Sequence, residues 1–342
     1  MNKISLKYVP YSLKLKSPFL TAKSKITVRK GFVISLCDDS GVKGFGDTAP
    51  LPDFRSESYD EALKFFYNFK FNLKINLDDF ENSLDQNLQQ MKKLPATRHG
   101  LEQALLNYFS VKTKIPLNEL LNRKAAKDIK VNGIIGITTR SKLIVKVEEF
   151  LVSGYTTLKV KVGRDDFKND FEAIEYIRSK AGDNVKIRID ANCKWTPAKA
   201  VKNLKSLEKF NIEYCEQPVK NISHFIKIQN KTKIPLAADE SIRSLQDAQK
   251  IIEEKLAQVL ILKPMMLGGI LNTLRIADLA KKNKLKVIIT TSFESALGRS
   301  FAILAASFLD NGLAHGLGTA GYFQKDIFED PYPVKNGIIS LG

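Results

Sequence analysis

The segment TTLKVKV at residues 156–162 is a short apolar run with polar residues near its end, and three similar runs follow it along the chain. They read VKIRID at residues 185–190, IEYCE at 212–216 and IPLAAD at 234–239. The polar residues that end them are 29, 26 and 23 positions apart: Lys161, Asp190, Glu216 and Asp239. Such a step is the length of one strand, one helix and two short loops, the repeating unit of a parallel β/α barrel. Because barrel enzymes build their sites at the C-terminal ends of successive strands, these side chains are predicted to converge.

The same alternation extends over most of the chain. Strands are predicted at residues 131–137, 156–162, 185–190, 212–217, 234–239, 258–263, 286–292 and 313–317. Helices are predicted between them at residues 142–153, 165–180, 197–209, 220–231, 244–255, 269–282 and 297–309. Eight strands separated by helices predict a closed parallel barrel.

The first part of the chain has a different order, with strands first and helices after them. Residues 25–37 and 42–48 are predicted to form a hairpin, and helical patterns follow at residues 57–73, 80–92 and 97–111. This order is typical of an α+β domain. We therefore predict an α+β domain at residues 1–125, a barrel domain at 126–320, and a C-terminal segment at 321–342 that packs on the first domain.

Composition excludes several classes of protein. The 342 residues are 44% hydrophobic and 27% charged, as in ordinary soluble domains. The three cysteines are too widely spaced for a disulfide framework or a CxxC metal motif, which favours a reduced, cytoplasmic protein: Cys37, Cys193 and Cys215. No apolar run reaches the roughly 18 residues of a membrane span, and residues 1–16 lack the apolar core of a secretory signal.

The net charge of +17 raises the alternative of a nucleic-acid-binding protein. Such a protein concentrates its positive charge on one face or tail, whereas the lysines here are spread over the whole chain. A basic surface that attracts an anionic small substrate is the favoured interpretation, and neither a nucleic-acid nor a membrane partner is expected. Salt-dependent retention on DNA is the test of the alternative.

Side-chain alternation along the strands predicts which charges point into the barrel. Lys159 and Lys161 share one face, and Arg188 shares a face with Asp190. Lys263 points inward by the same count. Inward charges are costly unless they are paired or bind a metal. A purely structural ion-pair network is the alternative to an active site.

The residue types fit a metal-assisted reaction. Asp190, Glu216 and Asp239 offer three hard oxygen ligands, which suit Mg²⁺ or Mn²⁺. Zinc is disfavoured, because the three histidines have no ligand spacing: His99, His224 and His315. A divalent cation and lysines can stabilise the dianion that forms when a proton next to a carboxylate is removed. Positive neighbours would also lower the pKa of a lysine, so that it can act as a base.

Five short motifs then carry a family resemblance. They are Lys159-Val-Lys161, Asp190-Ala-Asn192, Glu216-Gln-Pro218, Asp239-Glu240-Ser241 and Leu262-Lys263-Pro264. In this order and spacing the chain resembles the enolase superfamily, and its two lysine motifs resemble the muconate-lactonising-enzyme-like subgroup. The resemblance implies an α+β capping domain over a modified (β/α)₇β TIM-type barrel.

The resemblance also implies roles for individual residues. Asp190, Glu216 and Asp239 would bind Mg²⁺, and Lys161 and Lys263 would lie on opposite faces of the substrate. Lys159 would tune Lys161. Behind these groups, three further residues would provide support: Arg188, Asn192 and Glu240.

Within the subgroup, four segments resemble the o-succinylbenzoate synthases: Arg29–Phe32, read RKGF, APLPDF at residues 49–54, TRHGLE at 97–102 and TSFESALG at 291–298. The implied reaction is the syn-dehydration of 2-succinyl-6-hydroxy-2,4-cyclohexadiene-1-carboxylate, a dicarboxylate, in menaquinone or phylloquinone synthesis. Lys161 would be the base and Lys263 a stabilising cation. Substrate carboxylates are expected near Ser292, Ser295 and Gly268.

The alternative in the same superfamily is an N-acylamino acid racemase or a dipeptide epimerase. Lysines on both faces of the substrate serve that reaction too. Dipeptide epimerases usually carry an Asp-x-Asp motif after the last strand, which grips the amino terminus of the substrate. This chain reads GLGTA at residues 316–320, with no acid.

Overall fold

Three antiparallel strands form the sheet of the N-terminal domain, the cap. The structure is a computed structural model that describes residues 4–20, 25–72, 75–76, 79–309 and 311–341. The strands are β1 (Ile4–Leu20), β2 (Lys25–Asp38) and β3 (Lys43–Thr48), with β2 in the middle. The predicted hairpin is therefore confirmed, and Asp38 stabilises its turn by accepting hydrogen bonds from the Ser40 and Val42 amides at 2.9 and 3.0 Å.

In the described part of the cap, four α-helices complete the domain: α1 (Tyr59–Asn68), α2 (Phe80–Asn87), α3 (Pro95–Thr113) and α4 (Leu117–Leu120). A capping box of Ser58 and Glu61 begins α1, which ends well before residue 73, a residue outside the described ranges. Helix α3 lies very close to β3. A Cβ atom at Gly44 would lie 2.2 Å from the Ala104 carbonyl oxygen, so only glycine permits this approach.

In the second domain, strands and helices alternate from β5 to α11. The strands are β4 (Asp128–Lys130), β5 (Gly133–Ile135), β6 (Thr157–Lys161), β7 (Lys186–Asp190), β8 (Ile212–Glu216), β9 (Leu236–Ala238), β10 (Val259–Leu262), β11 (Lys286–Ile289) and β12 (Ile338–Ser340). The helices are α5 (Arg140–Val152), α6 (Phe167–Ala181), α7 (Pro197–Leu207), α8 (Phe225–Gln229), α9 (Leu245–Glu253), α10 (Ile270–Lys282) and α11 (Ala296–Ser307).

Strands β5 to β11 form a curled parallel sheet in chain order. Residues 315–316 pair with both of its edges, because His315 bridges Val131 and Gly316 bridges Thr290, each in parallel. The Gly316 amide donates to the Ile289 carbonyl at 2.9 Å. The predicted eighth strand is thus reduced to a short segment that closes the sheet, and the predicted TIM-type α/β fold is confirmed.

The helix predicted at residues 220–231 is the one that differs most from expectation. It is replaced by a 3₁₀ turn at Ile222–His224 followed by the single-turn helix α8. Asn221 caps the turn through its side chain, which accepts a hydrogen bond from the Ser223 amide at 3.0 Å. Three β-branched isoleucines within this short segment also lower its intrinsic helix propensity.

The C-terminal segment contacts both domains. Phe323 bridges Leu15 of β1, and the Gln324 amide donates to the Lys14 carbonyl at 2.9 Å. Strand β12 pairs with β4 at the start of the barrel domain. The proposed domain boundaries stay a prediction. Within the described ranges, no helix has the length and apolarity needed to cross a membrane.

His99 is buried between the cap and the barrel, with its ring 6.4 Å from that of Phe301. Neither ring nitrogen has a hydrogen-bond partner among the described residues. Burial, with a smaller contribution from Arg98, lowers its pKa to about 3. The folded protein therefore keeps His99 neutral, whereas the unfolded chain binds a proton below the ordinary histidine pKa near 6.5.

We predict that His99→Leu reduces the loss of stability in acid. Below about pH 6.5, proton binding by unfolded His99 lowers the free energy of unfolding by about 1.4 kcal/mol per pH unit. The leucine variant lacks this contribution. Urea unfolding at pH 7.5 and pH 5.5 measures it, and equal losses of stability in the two proteins would contradict the prediction.

Candidate active site

A cavity of about 780 Å³ lies at the C-terminal ends of the barrel strands, beneath the cap. The cap contributes Phe19, Phe54 and Arg98 to its wall. Most of the residues singled out from the sequence also line it: Lys159, Lys161, Asp190, Asn192, Glu216, Asp239, Glu240, Lys263 and Gly268. The structure therefore brings the predicted lysines and carboxylates to one place.

Strand register places the charged residues side by side. Lys161 is paired with Asp190 across β6 and β7, and Asp190 is paired with Glu216 across β7 and β8. The Lys161 Nζ lies 2.6 Å from Asp190 Oδ2 and 2.8 Å from Asn192 Oδ1. The Lys159 Nζ lies 2.9 Å from Asp190 Oδ2 and 2.7 Å from Glu216 Oε2.

Burial and crowding shift the carboxylate pKa values. Burial, with the charge of Asp190, holds the pKa of Glu216 well above its ordinary range. Burial, followed by the charge of Asp239, raises the pKa of Glu240 to about 7. Burial also opposes ionisation of Asp190, but Lys159 and Lys161 outweigh it and lower the pKa of that carboxyl. The lysines thus favour the charged form of Asp190, whereas burial and the charge of Asp190 favour the neutral form of Glu216.

The pKa values of Lys159 and Lys263 are raised, not lowered. Burial opposes the charge on Lys159, but Asp190 and Glu216 outweigh it and raise its pKa. The pKa of Lys263 is raised in the same way by Asp239, whose carboxylate its Nζ contacts. The carboxylates around Lys159 and Lys263 therefore favour the charged form of both side chains.

The side-chain oxygens at the ends of β7, β8 and β9 are the candidate ligands for a divalent cation. Among the described residues no group of three His, Cys, Asp or Glu is already arranged as metal ligands, since lysine ammonium groups lie between the carboxylates. The donors are nevertheless all carboxylate oxygens on three successive strand ends. The buried Glu240 Oε2 beside them has no hydrogen-bond partner in the described part of the chain. The set fits Mg²⁺ by chemistry and charge.

Gln217 has a role that the sequence did not reveal. Its Oε1 accepts hydrogen bonds from the Asp239 and Ser241 amides at 3.0 and 3.3 Å. Its Nε2 donates to the Ser241 hydroxyl at 2.8 Å and to the Val219 carbonyl at 3.0 Å. The side chain therefore ties the end of β8 to the end of β9, which fixes Glu216 relative to Asp239. The only sequence feature that pointed to Gln217 is its place between Glu216 and Pro218 in one of the five motifs.

The three supporting residues lie at different depths. Asn192 links Lys161 to Glu240, because its Nδ2 also donates to Glu240 Oε1 at 3.1 Å. Arg188 is fully buried below the cavity, where its Nε donates to Glu213 at 2.6 Å. It also donates to the Ala314 carbonyl at 2.6 Å, so it links β7 to the segment that closes the barrel.

The residues predicted to bind substrate carboxylates are not all placed alike. Gly268 lines the cavity, whereas Ser292 and Ser295 are not among the described lining residues. The Ser295 hydroxyl instead donates to Asp47 Oδ2 at 2.6 Å, and this placement gives the serine prediction no support. Phe293, between the serines, lines the cavity with its ring 4.5 Å from that of Phe19.

The cavity has an aromatic side and an excess of cations. The Lys263 Nζ lies 5.4 Å from the centre of the Phe54 ring. Of the described lining residues, ten are Lys or Arg and six are Asp or Glu. Gly316 and Thr319 of the GLGTA segment form part of the wall and carry no charge. Such a cavity suits an anionic substrate with a flat apolar part.

Comparison with known proteins covers both domains. A family model described as "Enolase C-terminal domain-like" matches residues 142–342, and one described as "MenC, N-terminal domain" matches residues 5–108. The L-Ala-D/L-Glu epimerase of Bacillus subtilis (strain 168) is 25% identical over 96% of this chain and 91% of the relative. The o-succinylbenzoate synthase of the same organism is 24% identical over 100% of this chain and 91% of the relative.

Solved structures show the same architecture. The dipeptide epimerase from Cytophaga hutchinsonii, in complex with Mg and the dipeptide D-Ala-L-Val, is 26% identical. Its TM-score is 0.86, and the alignment covers 99% of this chain and 93% of that chain. Relatives with two different activities thus match almost equally well, so overall identity does not separate the two reactions.

Proposed function

The chain belongs to the enolase superfamily, and from this premise we propose that it is an o-succinylbenzoate synthase. The reaction is the syn-dehydration of 2-succinyl-6-hydroxy-2,4-cyclohexadiene-1-carboxylate. A C–H bond and a C–O bond of the ring break, a ring double bond forms, and water leaves. The proposed substrate carries one carboxylate on its six-membered ring and a second at the end of its succinyl side chain.

The cavity wall at residues 316–320 is the observation that favours this substrate over a dipeptide. A dipeptide brings an ammonium group, which needs an acidic partner when it is removed from water. Gly316 and Thr319 line the cavity there without supplying one. A dianionic substrate instead matches the excess of lysine and arginine, and its ring matches the side formed by Phe19, Phe54 and Phe293.

In this proposal Asp190, Glu216 and Asp239 hold Mg²⁺, which the Cytophaga hutchinsonii relative also binds. When bound, the ion would supply positive charge that stabilises a developing enediolate and offsets the negative charge that raises the pKa values of Lys159 and Lys263. Lys161, held by Asp190 and Asn192, takes the proton beside the ring carboxylate. In a syn elimination the same lysine returns that proton to the departing hydroxide.

Lys263 has a different task. Asp239 and the Phe54 ring contact its ammonium group from two sides, which fixes it as a cation over the cavity. Lys159, between Asp190 and Glu216, contributes charge next to Lys161. Both residues then stabilise the negative charge that develops as the proton leaves.

The second candidate is epimerisation of a dipeptide or an N-acylated amino acid. It is favoured by the epimerase relatives and by the presence of Lys161 and Lys263 in the same cavity. A two-base reaction would use each lysine in turn, on opposite faces of the α-carbon.

We predict that the purified protein with Mg²⁺ bleaches the cyclohexadiene chromophore as o-succinylbenzoate forms. Unblocked dipeptides should react at least about 100-fold more slowly, because residues 316–320 offer their ammonium group no acidic partner. Absorbance and deuterium incorporation from D₂O measure the two reactions side by side, with N-succinyl amino acids as a third substrate class. Rapid epimerisation of an Ala-Glu-type dipeptide without bleaching of the diene would overturn the proposal and leave the superfamily assignment standing.

A further inference from the structure

Two barrel helices begin beside the cavity, and a carboxylate of the cap lies at the first turn of each. Helix α10 follows Lys263 through the loop at residues 264–269, and α11 follows β11 through residues 290–295. The first amide groups of a helix have no partner within it. Neither helix caps itself, because the N-cap residues Gly269 and Ser295 accept no side-chain hydrogen bond from their own helix.

Glu102, from α3 of the cap, lies at the start of α10. Its Oε1 accepts a hydrogen bond from the Leu271 amide at 3.2 Å, and the residue is fully buried. A Cβ atom at position 269 would lie 2.1 Å from this oxygen, so the site requires Gly269, whose φ is +134°. The carboxylate and the helix start are therefore fitted to each other.

Arg98, one turn earlier on α3, contacts the same junction. It donates to Glu102 Oε2 at 3.2 Å and to the Gly268 carbonyl. The cap helix thus supplies an acceptor for the amide of α10 and a donor for the carbonyl that precedes it. Both the position and the orientation of the Gly268 peptide, part of the cavity wall, depend on these two side chains.

Asp47, near the end of β3, contacts the N-cap residue of α11, and Asp326 of the C-terminal segment accepts from the next amide, that of Ala296, at 3.1 Å. Its Oδ2 accepts from the Ser295 amide at 3.0 Å and from the Ser295 hydroxyl at 2.6 Å. Arg29, from the neighbouring strand of the cap, donates to the Phe293 carbonyl at 3.1 Å. Phe293 has a φ of +59°, a conformation that the surrounding contacts must hold. The aromatic side of the cavity is therefore placed by the cap.

Holding the cap and the barrel together does not by itself explain why buried carboxylates are used at these two helix starts. Burial raises the pKa of Glu102 to about 7 and that of Asp47 to about 6, against the hydrogen bonds that favour their charged forms. Buried carboxylates are costly, and apolar contacts would join two domains without that cost. A hydrogen bond to a carboxylate is directional, whereas an apolar contact is not. Directionality is the property needed to fix the orientation of a peptide plane.

We propose that Glu102 and Asp47 are positioning residues of the active site, which set the cavity walls after β10 and β11 by capping α10 and α11 from the other domain. The kinetic part of this proposal rests on the proposed function. The structural part does not, because it concerns amide groups that can be measured without substrate. Lys161 and the three predicted metal ligands lie on β6 to β9 or directly after them, outside the two helices concerned.

Hydrogen exchange and steady-state kinetics of Glu102→Gln and Asp47→Asn test the proposal. In Glu102→Gln the amides of residues 270–273 should exchange at least about fivefold faster, the factor expected for loss of a helix cap, with residues 295–298 unchanged. Asp47→Asn should instead speed exchange of the Ser295 amide, with residues 270–273 unchanged. Each variant should raise KM about tenfold and change kcat by less than about threefold, because the walls move and the base does not.

Asp166→Ala is the matched control. Asp166 caps α6 from within the barrel, accepting from the Lys168 amide at 3.0 Å, and it is exposed and absent from the described cavity wall. It should speed exchange at the start of α6 and leave KM unchanged. If Glu102→Gln does not fold, Glu102→Asp keeps the charge one methylene shorter and takes its place.

The proposal is overturned if exchange rises evenly over the barrel, or if KM in both cap variants equals that of Asp166→Ala. If the wild-type protein does not turn over the diene at all, the proposed function fails by itself. The exchange data still decide whether the cap carboxylates hold the two helices.

Discussion

Replacing Lys161 with alanine should lower turnover of the diene by about 100- to 10,000-fold, the range typical for loss of a general base. Its Nζ is the amine held between Asp190 and Asn192 at the cavity wall. Without it, exchange of the substrate α-proton with solvent should also stop. Turnover followed by absorbance and exchange followed by NMR in D₂O measure the two effects.

Lys263→Ala separates the base from the stabilising cation. It should reduce turnover as well, because charge that develops in a water-poor site is sensitive to each nearby cation. Some exchange of the α-proton should survive, since Lys161 is intact. Lys168→Ala, with its side chain 77% exposed on α6, is the control and should behave as wild type. Near-full activity of Lys161→Ala would show that another residue is the base.

Asp239→Asn should weaken Mg²⁺ binding by more than about tenfold, since even residues that only support metal ligands have effects of that size. The substitution removes one of three negative charges at the strand ends and leaves Lys263 without its carboxylate partner. Calorimetric titration with Mg²⁺ measures the affinity, and circular dichroism checks that the barrel stays folded. Turnover should fall in parallel and recover in part at high Mg²⁺.

Asp183→Asn, in the exposed turn before β7, provides the comparison for a lost carboxylate outside the site. It should bind Mg²⁺ as the wild-type protein does. Equal affinity of Asp239→Asn and Asp183→Asn would show that Asp239 is not a ligand. Removal of Mg²⁺ with a chelator should abolish turnover of the wild-type protein and leave its secondary structure intact.

Local pattern accounts for most of what the sequence predicted. Apolar runs ending in Lys161, Asp190, Glu216 and Asp239 at near-regular steps predict parallel strands with a shared C-terminal edge. The two-residue alternation predicts that Lys159 points inward, and the structure buries it between Asp190 and Glu216. Strand spacing and side-chain alternation follow from chain geometry alone, which is why the fold and the convergence of charges could be predicted.

Contacts between distant segments were beyond such arguments. Ser295 was expected to face a substrate, yet its hydroxyl donates to Asp47, which lies 248 positions earlier. The pairing of Lys263 with Asp239 and the rise in its pKa depend on side-chain packing, which no spacing rule describes. Helix α8 was predicted too long because Asn221 caps a 3₁₀ turn where a helical period continues in the sequence.

Two barrel helices begin at carboxylates that belong to the cap, and this limits how freely the two domains can be exchanged between relatives. Residues 5–108 and 142–342 match two separate family models, which suggests modules that can be exchanged. Yet the partners Glu102 with Gly269, and Asp47 with Ser295, each join one module to the other. In a chimera that takes its cap from one relative and its barrel from another, the cap must carry the two carboxylates and the barrel must carry the glycine and the serine that fit them. If Glu102 and Asp47 position the cavity walls as proposed, a substitution at either half will change substrate recognition without touching a catalytic residue.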